Sequence, residues 1–457
     1  MRRTANVIAM SACMLMIASP SAIAETVSDE LAEMRTLVEQ LKGQVDAQSE
    51  QIEHQGKVIR EARLEQAQRG DSGSGASGIA AFLQRLEIEG WVAGSYFWNF
   101  NDPGSRHIVG GNSGVSGNIY PFHGNYNSFQ VDQVWFGLEH PVDEENRAGF
   151  RFDLVYGTTA CTLGASPGGR CKLSGDDFFD VFGDNTSQYY VNQAYVQYLA
   201  PITSNGIHIK AGKFGTLIGA EVAQTTANFN ITRGNVYNLL QPIDHVGVLA
   251  STDIGESGFS AAFGVVNDIG TGDPDFNDAK SITAQVAWAG ETLSVANTLV
   301  WGPPYVGMND NSTGIYDVLV NWDPTENLST WLNFDYVWGR TTEGQKQHAW
   351  GVATAARYAI SERMGIAGRF EYVADDDFAL GWVDDPTDPA AGIFRDASIY
   401  SLTGTVDYAL TSNLMVRAEV RYDDISKDNG SDDEFWDGAD DWKPEQVTAG
   451  VEIVYEF

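Results

Sequence analysis

The chain is 457 residues long and strongly acidic, with 62 Asp and Glu against 28 Lys and Arg and a formal net charge of −34. This charge argues against nucleic-acid partners, which require basic surfaces. No continuous apolar run reaches the ~20 residues of a transmembrane helix, and the mean hydropathy is −0.23. A membrane protein of this composition must therefore cross the bilayer as a closed β-barrel.

Residues 1–24 have the pattern of a secretory signal peptide. A basic start at 2–3 precedes an apolar run at 7–17 that is too short to span a bilayer, and an Ala-Ile-Ala cleavage site follows at 22–24. We expect the exported chain to begin near Glu25.

Residues 25–67 are predicted to form a periplasmic coiled-coil helix. Strict three-four spacing with charges outside the seam favours self-association. The alternative is a single amphipathic helix packed on its own barrel. Residues 68–85, rich in Gly and Ser at 71–78, are predicted to be a linker. The heptad positions are Leu31, Val38, Val45, Ile52 and Ile59 at a, and Met34, Leu41, Gln48 and Gln55 at d.

Residues 86–457 are predicted to form an all-β transmembrane barrel of about 16 antiparallel strands. Apolar and polar residues alternate in each segment, as expected for strands with one face toward lipid and one toward a polar lumen. A soluble antiparallel sheet gives the same alternation. The predicted strands span 86–101, 125–140, 147–157, 188–200, 207–215, 244–253, 259–267, 279–289, 291–302, 312–322, 328–339, 347–360, 362–374, 397–410, 414–423 and 445–457.

The lengths of the connections between these segments favour a barrel over a β-sandwich, because short turns alternate with mostly long loops. Short periplasmic turns and long external loops are typical of outer-membrane barrels, whereas a sandwich has no reason to segregate its loops. The long connections are 102–124, 158–187, 216–243, 375–396 and 424–444.

Aromatic residues recur on the apolar face near both ends of the predicted strands. Two such rings are typical of the interfacial girdles of a membrane barrel. One ring comprises Tyr198, Trp288, Trp322, Tyr358, Tyr408 and Phe457, and the other Trp98, Tyr156, Trp301, Tyr336, Tyr372 and Tyr422.

The opposite faces of the strands carry charges. A barrel of about 16 strands is wide enough for an aqueous channel, and only the heptad helix and linker precede it, so we expect no plug. The predicted pore-lining residues are Arg151, Asp153, His208, Lys210, Arg357, Arg369, Glu371, Arg417, Glu419 and Arg421.

The long connection 216–243 is rich in Thr and Asn and is the candidate constriction loop, with Glu221, Arg233 and Tyr237 as its candidate residues. If it folds into the bore, Glu221 and Arg233 should face Arg151, Lys210 and Arg369. The alternative is an external loop resting on the barrel rim.

Cys161 and Cys171 lie in one Gly-rich segment and are predicted to form a disulfide, with two free thiols as the alternative. They and scattered aspartates offer too few ligands for a metal site, so we expect no metal and no cofactor. The acidic loops at 375–388 and 423–441 lack EF-hand spacing. Solvated surface loops are favoured there over Ca²⁺ sites.

Four segments resemble the OmpL-like outer-membrane β-barrel porins: VNQAYVQ at 191–197, KAGKFGTLIGAE at 210–221, NFNITR at 228–233 and PIDHVG at 242–247. The order of signal, helix and barrel is similar to the DcaP-like trimeric porins. Asp244 occupies a position where the family motif is expected to have a small hydroxyl residue. The resemblance implies a channel, often trimeric, and names no solute.

The expected function is that of a porin in the outer membrane of a Gram-negative bacterium, surrounded by lipid, for passive diffusion of small hydrophilic solutes and ions. A homotrimer is the expected assembly. An enzyme is not favoured, because none of the seven histidines accompanies a Gly-x-Ser-x-Gly phrase. The alternative is a structural envelope protein that tethers the outer membrane to the cell wall through the coiled coil.

Overall fold

The chain divides between Ala81 and Phe82, and Phe82–Phe457 form one compact unit. The predicted signal peptide, coiled-coil helix and most of the linker lie outside the described residues and stay predictions. The structure is a computed structural model, and it describes residues 82–103, 109–111, 114–116, 121–123, 125, 127–164, 189–270, 278–303, 312–340, 346–376, 397–427 and 443–457.

Sixteen strands form a closed antiparallel barrel in which each strand pairs with the next barrel strand along the chain and the first pairs with the last. A two-stranded hairpin and two short α-helices lie in the connections. The barrel strands are β1 (Glu87–Asn99), β4 (Ser128–His140), β5 (Ala148–Tyr156), β6 (Tyr189–Ala200), β7 (Ile207–Gly215), β8 (Asp244–Asp253), β9 (Phe259–Val266), β10 (Ser281–Ala289), β11 (Leu293–Gly302), β12 (Thr313–Thr325), β13 (Leu328–Arg340), β14 (Lys346–Ser361), β15 (Met364–Asp376), β16 (Ala397–Ala409), β17 (Leu414–Lys427) and β18 (Glu445–Glu456). The hairpin is β2 (Val109–Gly111) and β3 (Gly114–Ser116), and the α-helices are α1 (Thr158–Gly164) and α2 (Asn235–Leu240).

The predicted closed barrel of sixteen strands is confirmed. Every strand begins within three residues and ends within four of its predicted bounds. The match follows from the period-two alternation, which specifies both the length and the facing of a strand that separates lipid from a polar interior.

The outer surface is a belt of exposed apolar side chains. Phe129 is 85% exposed and Val196 63%, and such a continuous surface requires lipid or protein cover. Most residues of the two predicted aromatic girdles are exposed on this surface. From one girdle these are Trp98, Trp301 and Tyr336, and from the other Tyr198, Trp322, Tyr358, Tyr408 and Phe457. No helix among the described residues is long and apolar enough to cross a bilayer.

Two β-bulges change which side chains face the lumen. Ala93 of β1 pairs with Gln133 but Gly94 pairs with Val131, so Asp132 is the extra residue. Asp132 and Gln133 are consecutive and both are buried. A bulge of the same kind inserts Asn192 into β6. A simple count of alternate residues assigns the wrong face at such positions.

Candidate functional site

The constriction segment, residues 216–243, lies inside the barrel. Thr225 donates a hydrogen bond to Glu452 of β18, and Asn230 donates one to Thr405 of β16. Gln241 reaches β13, and on the other side the Leu217 carbonyl accepts a hydrogen bond from Gln285 of β10. One segment can contact inward-facing side chains of strands this far apart only from within the lumen.

One side of the constriction segment is apolar. Ile218, together with Val236 and Leu240 of α2, packs in a buried cluster with side chains of β11 to β15. The helix has two buried apolar residues four positions apart, which lie on the same face. The wall residues of this cluster are Val300, Ile315, Trp331, Val337, Ala349, Ala353, Ala355 and Val373. Apolar packing therefore fills this part of the lumen.

The other side of the segment is polar and binds the charged wall of β15. The Glu221 Oε1 lies 2.6 Å from the Arg369 Nη1, and the Gly234 amide donates to the other Glu221 oxygen at 2.8 Å. Arg369 also lies 3.1 Å from Glu371, and its guanidinium donates to the Thr232 carbonyl at 2.5 Å. Because these groups are buried, each charge depends on its partner for stabilisation.

β17 holds the middle of the segment. Arg417 is ion-paired with Glu452 and donates to the Asn228 carbonyl at 3.1 Å. Glu419 accepts hydrogen bonds from the amides of Ile231 at 2.6 Å and Thr232 at 3.1 Å. Wall charges here satisfy the backbone of an irregular segment that has no sheet partner.

Arg421, also on β17, binds the part of the segment that enters α2. Its side chain is ion-paired with Asp423 at 2.8 Å. It also donates to the Arg233 carbonyl at 2.8 Å and to the Asn235 side chain at 2.9 Å.

Arg233 and Tyr237 do not line open space. The Arg233 guanidinium donates to the carbonyls of Val222 at 3.1 Å and Ile231 at 2.9 Å, and it lies 5.2 Å from the centre of the Phe122 ring. Burial raises the pKa of the Tyr237 hydroxyl, which stays protonated. Among the described contacts, Glu221 meets Arg369 as expected, whereas Arg233 meets its own segment.

On the opposite side of the lumen, Leu217 packs against a buried cluster of β6 to β9, and the wall of β6 to β10 is open toward the short turns that contain Val142 and Asn205. A cavity of about 470 Å³ lies there, with Leu217 of the constriction segment on one side. His208 and Lys210 line it from β7. The His208 ring lies 2.9 Å from the Gln197 side chain, and the Lys210 ammonium lies 4.8 Å from the centre of the Tyr195 ring. The other polar lining residues include Asn205, Ser251, Thr252, Asp253, Ser260 and Gln285.

Arg151 of β5 lies in an acidic cluster. It is 2.8 Å from Glu139 and 3.0 Å from Asp153, and it is also ion-paired with Glu89. Three carboxylates around one guanidinium leave this cluster net negative. Arg357 of β14 forms a separate pair with Asp407 at 2.6 Å.

Asp153 is buried in the cluster around Arg151, and the other nine predicted lining residues divide into two groups. Arg369, Glu371, Arg417, Glu419 and Arg421 are buried under the constriction segment and bind it. The partly exposed members of the predicted set are Arg151, His208, Lys210 and Arg357. Sequence reasoning did not identify His123, Asp132, Gln133 or Glu452, although Glu452 has the inward parity of the last strand.

The N-terminal end of α1 is also buried. Cys161 is fully buried and disulfide-bonded. Cys171 lies outside the described residues, so the pairing of these two cysteines stays a prediction. Most of the acidic loops also lie outside them; Asp375 and Asp423, at their edges, are buried.

Residues 85–457 match the family model described as "Putative beta-barrel porin-2, OmpL-like". No curated protein matches the chain in sequence. Among solved structures, the chain is similar to an anion-selective porin from Comamonas acidovorans, at 11% identity and a TM-score of 0.51, over 81% of this chain and 99% of the porin. It is also similar to the outer membrane channel DcaP of Acinetobacter baumannii, at 11% identity and a TM-score of 0.50, over 81% and 97%. At these identities the likeness shows the fold alone.

Proposed function

The chain belongs to the OmpL-like family of β-barrel porins, and on this premise we propose that it is an outer-membrane porin, a water-filled channel for passive diffusion of small hydrophilic solutes and ions. The observation that carries the proposal is the incomplete filling of the lumen. The constriction segment packs against β11 to β18 and, through Ala223, Thr225 and Tyr237, against β1, β4 and β5. A polar cavity of about 470 Å³ remains beside β6 to β10.

The permeation path in this proposal runs between the constriction segment and the wall of β6 to β10. Its lining supports passage of small polar solutes, because hydroxyl and amide groups such as Ser251, Ser260 and Gln285 can replace part of a hydration shell. Lys210 is a basic group in the cavity lining, and the cluster around Arg151 on the neighbouring strand is net negative. Opposite charges beside one path support weak ion selectivity.

The proposed assembly is a homotrimer in outer-membrane lipid. The exposed apolar belt supports contacts with lipid or a second barrel, and the heptads at 31–59 support association of the preceding helices. Native mass spectrometry in mild detergent should give a trimer; monomer alone would contradict this assembly.

Substituted cysteines test the path directly. Ser260→Cys lies on the open wall, whereas Thr405→Cys, the matched control, lies under the constriction segment, where Thr405 is buried and bonded to Asn230. In a planar bilayer, a charged thiol reagent should reduce the conductance of S260C and leave T405C and the parent protein unchanged.

Two results would contradict the proposal. The absence of conductance steps despite verified insertion would show that the protein is not a channel. Block of T405C with no effect on S260C would place the path on the opposite side of the constriction segment.

A further inference from the structure

Three potential metal ligands meet on the inner wall near β1, β4 and β18. His123 comes from the helical turn Pro121–His123, Asp132 from β4 and Glu452 from β18. One ligand atom from each residue lies within 4.8 Å of those from the other two, and all three side chains are buried. The three residues come from separate parts of the chain, so the fold, and not the local sequence, brings them together.

Asp132 has a free coordination position. Its Oδ1 accepts hydrogen bonds from Gln130 at 2.6 Å and Thr158 at 3.4 Å. Its Oδ2 is buried and accepts no hydrogen bond from the part of the chain that the structure describes. The β-bulge places this carboxyl group in the interior, where an unsatisfied oxygen is costly unless it binds a proton or a cation.

Glu452 has one oxygen that contacts no guanidinium group among the described residues. Its Oε2 accepts the Arg417 Nε at 2.7 Å, and its Oε1 accepts the Thr225 hydroxyl at 2.8 Å. A carboxylate oxygen has two lone pairs, so Oε1 can bind a second electrophile on the side away from Arg417.

Acidic groups outnumber basic groups among the described residues buried around the constriction segment. The described buried groups in this region include four guanidinium groups and six carboxyl groups. Asp132 is the one carboxyl group of the six that contacts no Arg or Lys among the described residues, and its only ion-pair neighbour is His123, at 3.7 Å between Nε2 and Oδ1. The guanidinium groups belong to Arg233, Arg369, Arg417 and Arg421, and the carboxyl groups to Asp132, Glu221, Glu371, Glu419, Asp423 and Glu452.

We propose that His123, Asp132 and Glu452 bind one divalent transition-metal ion, best matched by Zn²⁺. One imidazole nitrogen and two carboxylate oxygens suit Zn²⁺, whereas Ca²⁺ and Mg²⁺ prefer oxygen ligands alone. Tetrahedral ligands at Zn²⁺ distances are roughly 3.4 Å apart. The three groups therefore need to approach by up to about 1.4 Å, which small side-chain rotations supply. A fourth position remains for water.

The ion offsets the excess negative charge and links the β1–β4 connection to β4 and β18. Its ligand Glu452 also contacts Thr225 of the constriction segment and Arg417, so the ion is connected to both residues. The site is independent of the proposed permeation path, which lies along β6 to β10.

Metal content of the tag-free, folded protein in detergent tests this inference. After chelator treatment, incubation with Zn²⁺ and dialysis, elemental analysis should give one Zn²⁺ per chain, undiminished by excess Ca²⁺ or Mg²⁺. Co²⁺ in place of Zn²⁺ should give visible d–d absorption typical of a low-coordinate nitrogen and oxygen site. Heat-modified gel migration verifies that each sample is a folded barrel.

Asp132→Asn is nearly isosteric and His123→Gln removes the nitrogen ligand. Each should lower Zn²⁺ affinity by at least about 100-fold, since even loss of an outer-shell partner costs 10–100-fold. His208→Gln and Asp317→Asn are matched controls, a lumen histidine and a buried lumen carboxyl group away from the site, and should keep one Zn²⁺ per chain. Absence of bound Zn²⁺ in the folded parent, equal binding by D132N, or displacement by Ca²⁺ would each overturn the proposal.

Discussion

Glu221 of the constriction segment and Arg369 of β15 form a buried ion pair, with 2.6 Å between Oε1 and Nη1. Arg369 also contacts Glu371 and the Thr232 carbonyl. Removal of one partner from such a pair leaves an uncompensated charge away from water, which costs more than the pair itself contributes. The position of the constriction segment therefore depends on this contact.

Arg369→Met should destabilise the barrel by about 3–5 kcal/mol and should give noisier, larger conductance steps as the segment loosens. Denaturant titration in lipid vesicles and single-channel recording measure the two effects. Arg357→Met is the matched control, because Arg357 is 35% exposed beside Asp407; its cost should stay below about 1 kcal/mol.

A double-mutant cycle separates the pair from the rest of the network. Adding Glu221→Gln to Arg369→Met should recover part of the lost stability, because the stranded carboxylate is then neutral. Strict additivity of the two single effects would show that the two side chains do not act as a pair.

Lys210→Glu should shift ion selectivity toward cations by about two-fold in permeability ratio, as estimated for a charge reversal beside a water-filled path at moderate salt. Reversal potentials across a salt gradient measure the shift, and it should grow as ionic strength falls. Lys346→Glu, at the exposed start of β14, is the control. An equal shift in both variants would place Lys210 away from the path.

Val420→Arg tests the lipid-facing surface. Val420 is 56% exposed on β17 and pairs with Gly404. A lipid-facing arginine near the centre of the belt should cost about 2–4 kcal/mol, whereas Leu410→Arg, in the turn after β16, should cost about 0–1 kcal/mol. Folding titrations into vesicles give both values. Similar costs would mean that Val420 faces protein or water instead of lipid.

Gly212→Ala should destabilise β7, because Gly212 has φ +133° and an added Cβ would lie 2.3 Å from the Ala194 carbonyl oxygen. Such strain costs about 1–3 kcal/mol. Gly404→Ala is the control, since a Cβ there meets nothing within 4 Å. Denaturation midpoints should fall for G212A alone, and an unchanged midpoint would argue against the positive φ.

The strands were predictable because lipid and water impose opposite demands on alternate residues. Long stretches such as Ala397–Ala409 keep that alternation without interruption, so their bounds and facing follow from the sequence. The alternation shows which face is inward but not what covers it. The face of Arg369 and Arg417 was predicted correctly, whereas its cover by the constriction segment depends on contacts between residues more than a hundred positions apart.

Asp132 shows a second limit. A bulge adds one residue to a strand without a distinctive local signal, so the inward position of Asp132 beside Gln133 appears only in the pairing with β1. His123 and Glu452 are far apart in the sequence, and neither residue's local sequence indicates that the other lies nearby in the fold. A cluster of ligands from three segments is therefore a property of the closed fold.

The pairing of β1 with β18 has a consequence for the order of assembly. The Phe457 amide donates to the Gly90 carbonyl at 2.9 Å, and Trp91 pairs with Glu456. These contacts join the two ends of the barrel sequence, so the entropy of closing the longest loop must be overcome before they form. Until that step, two open strand edges could pair with other chains. Circular permutants that join these ends and open another short turn should keep the same closed ring while changing the rate at which it closes.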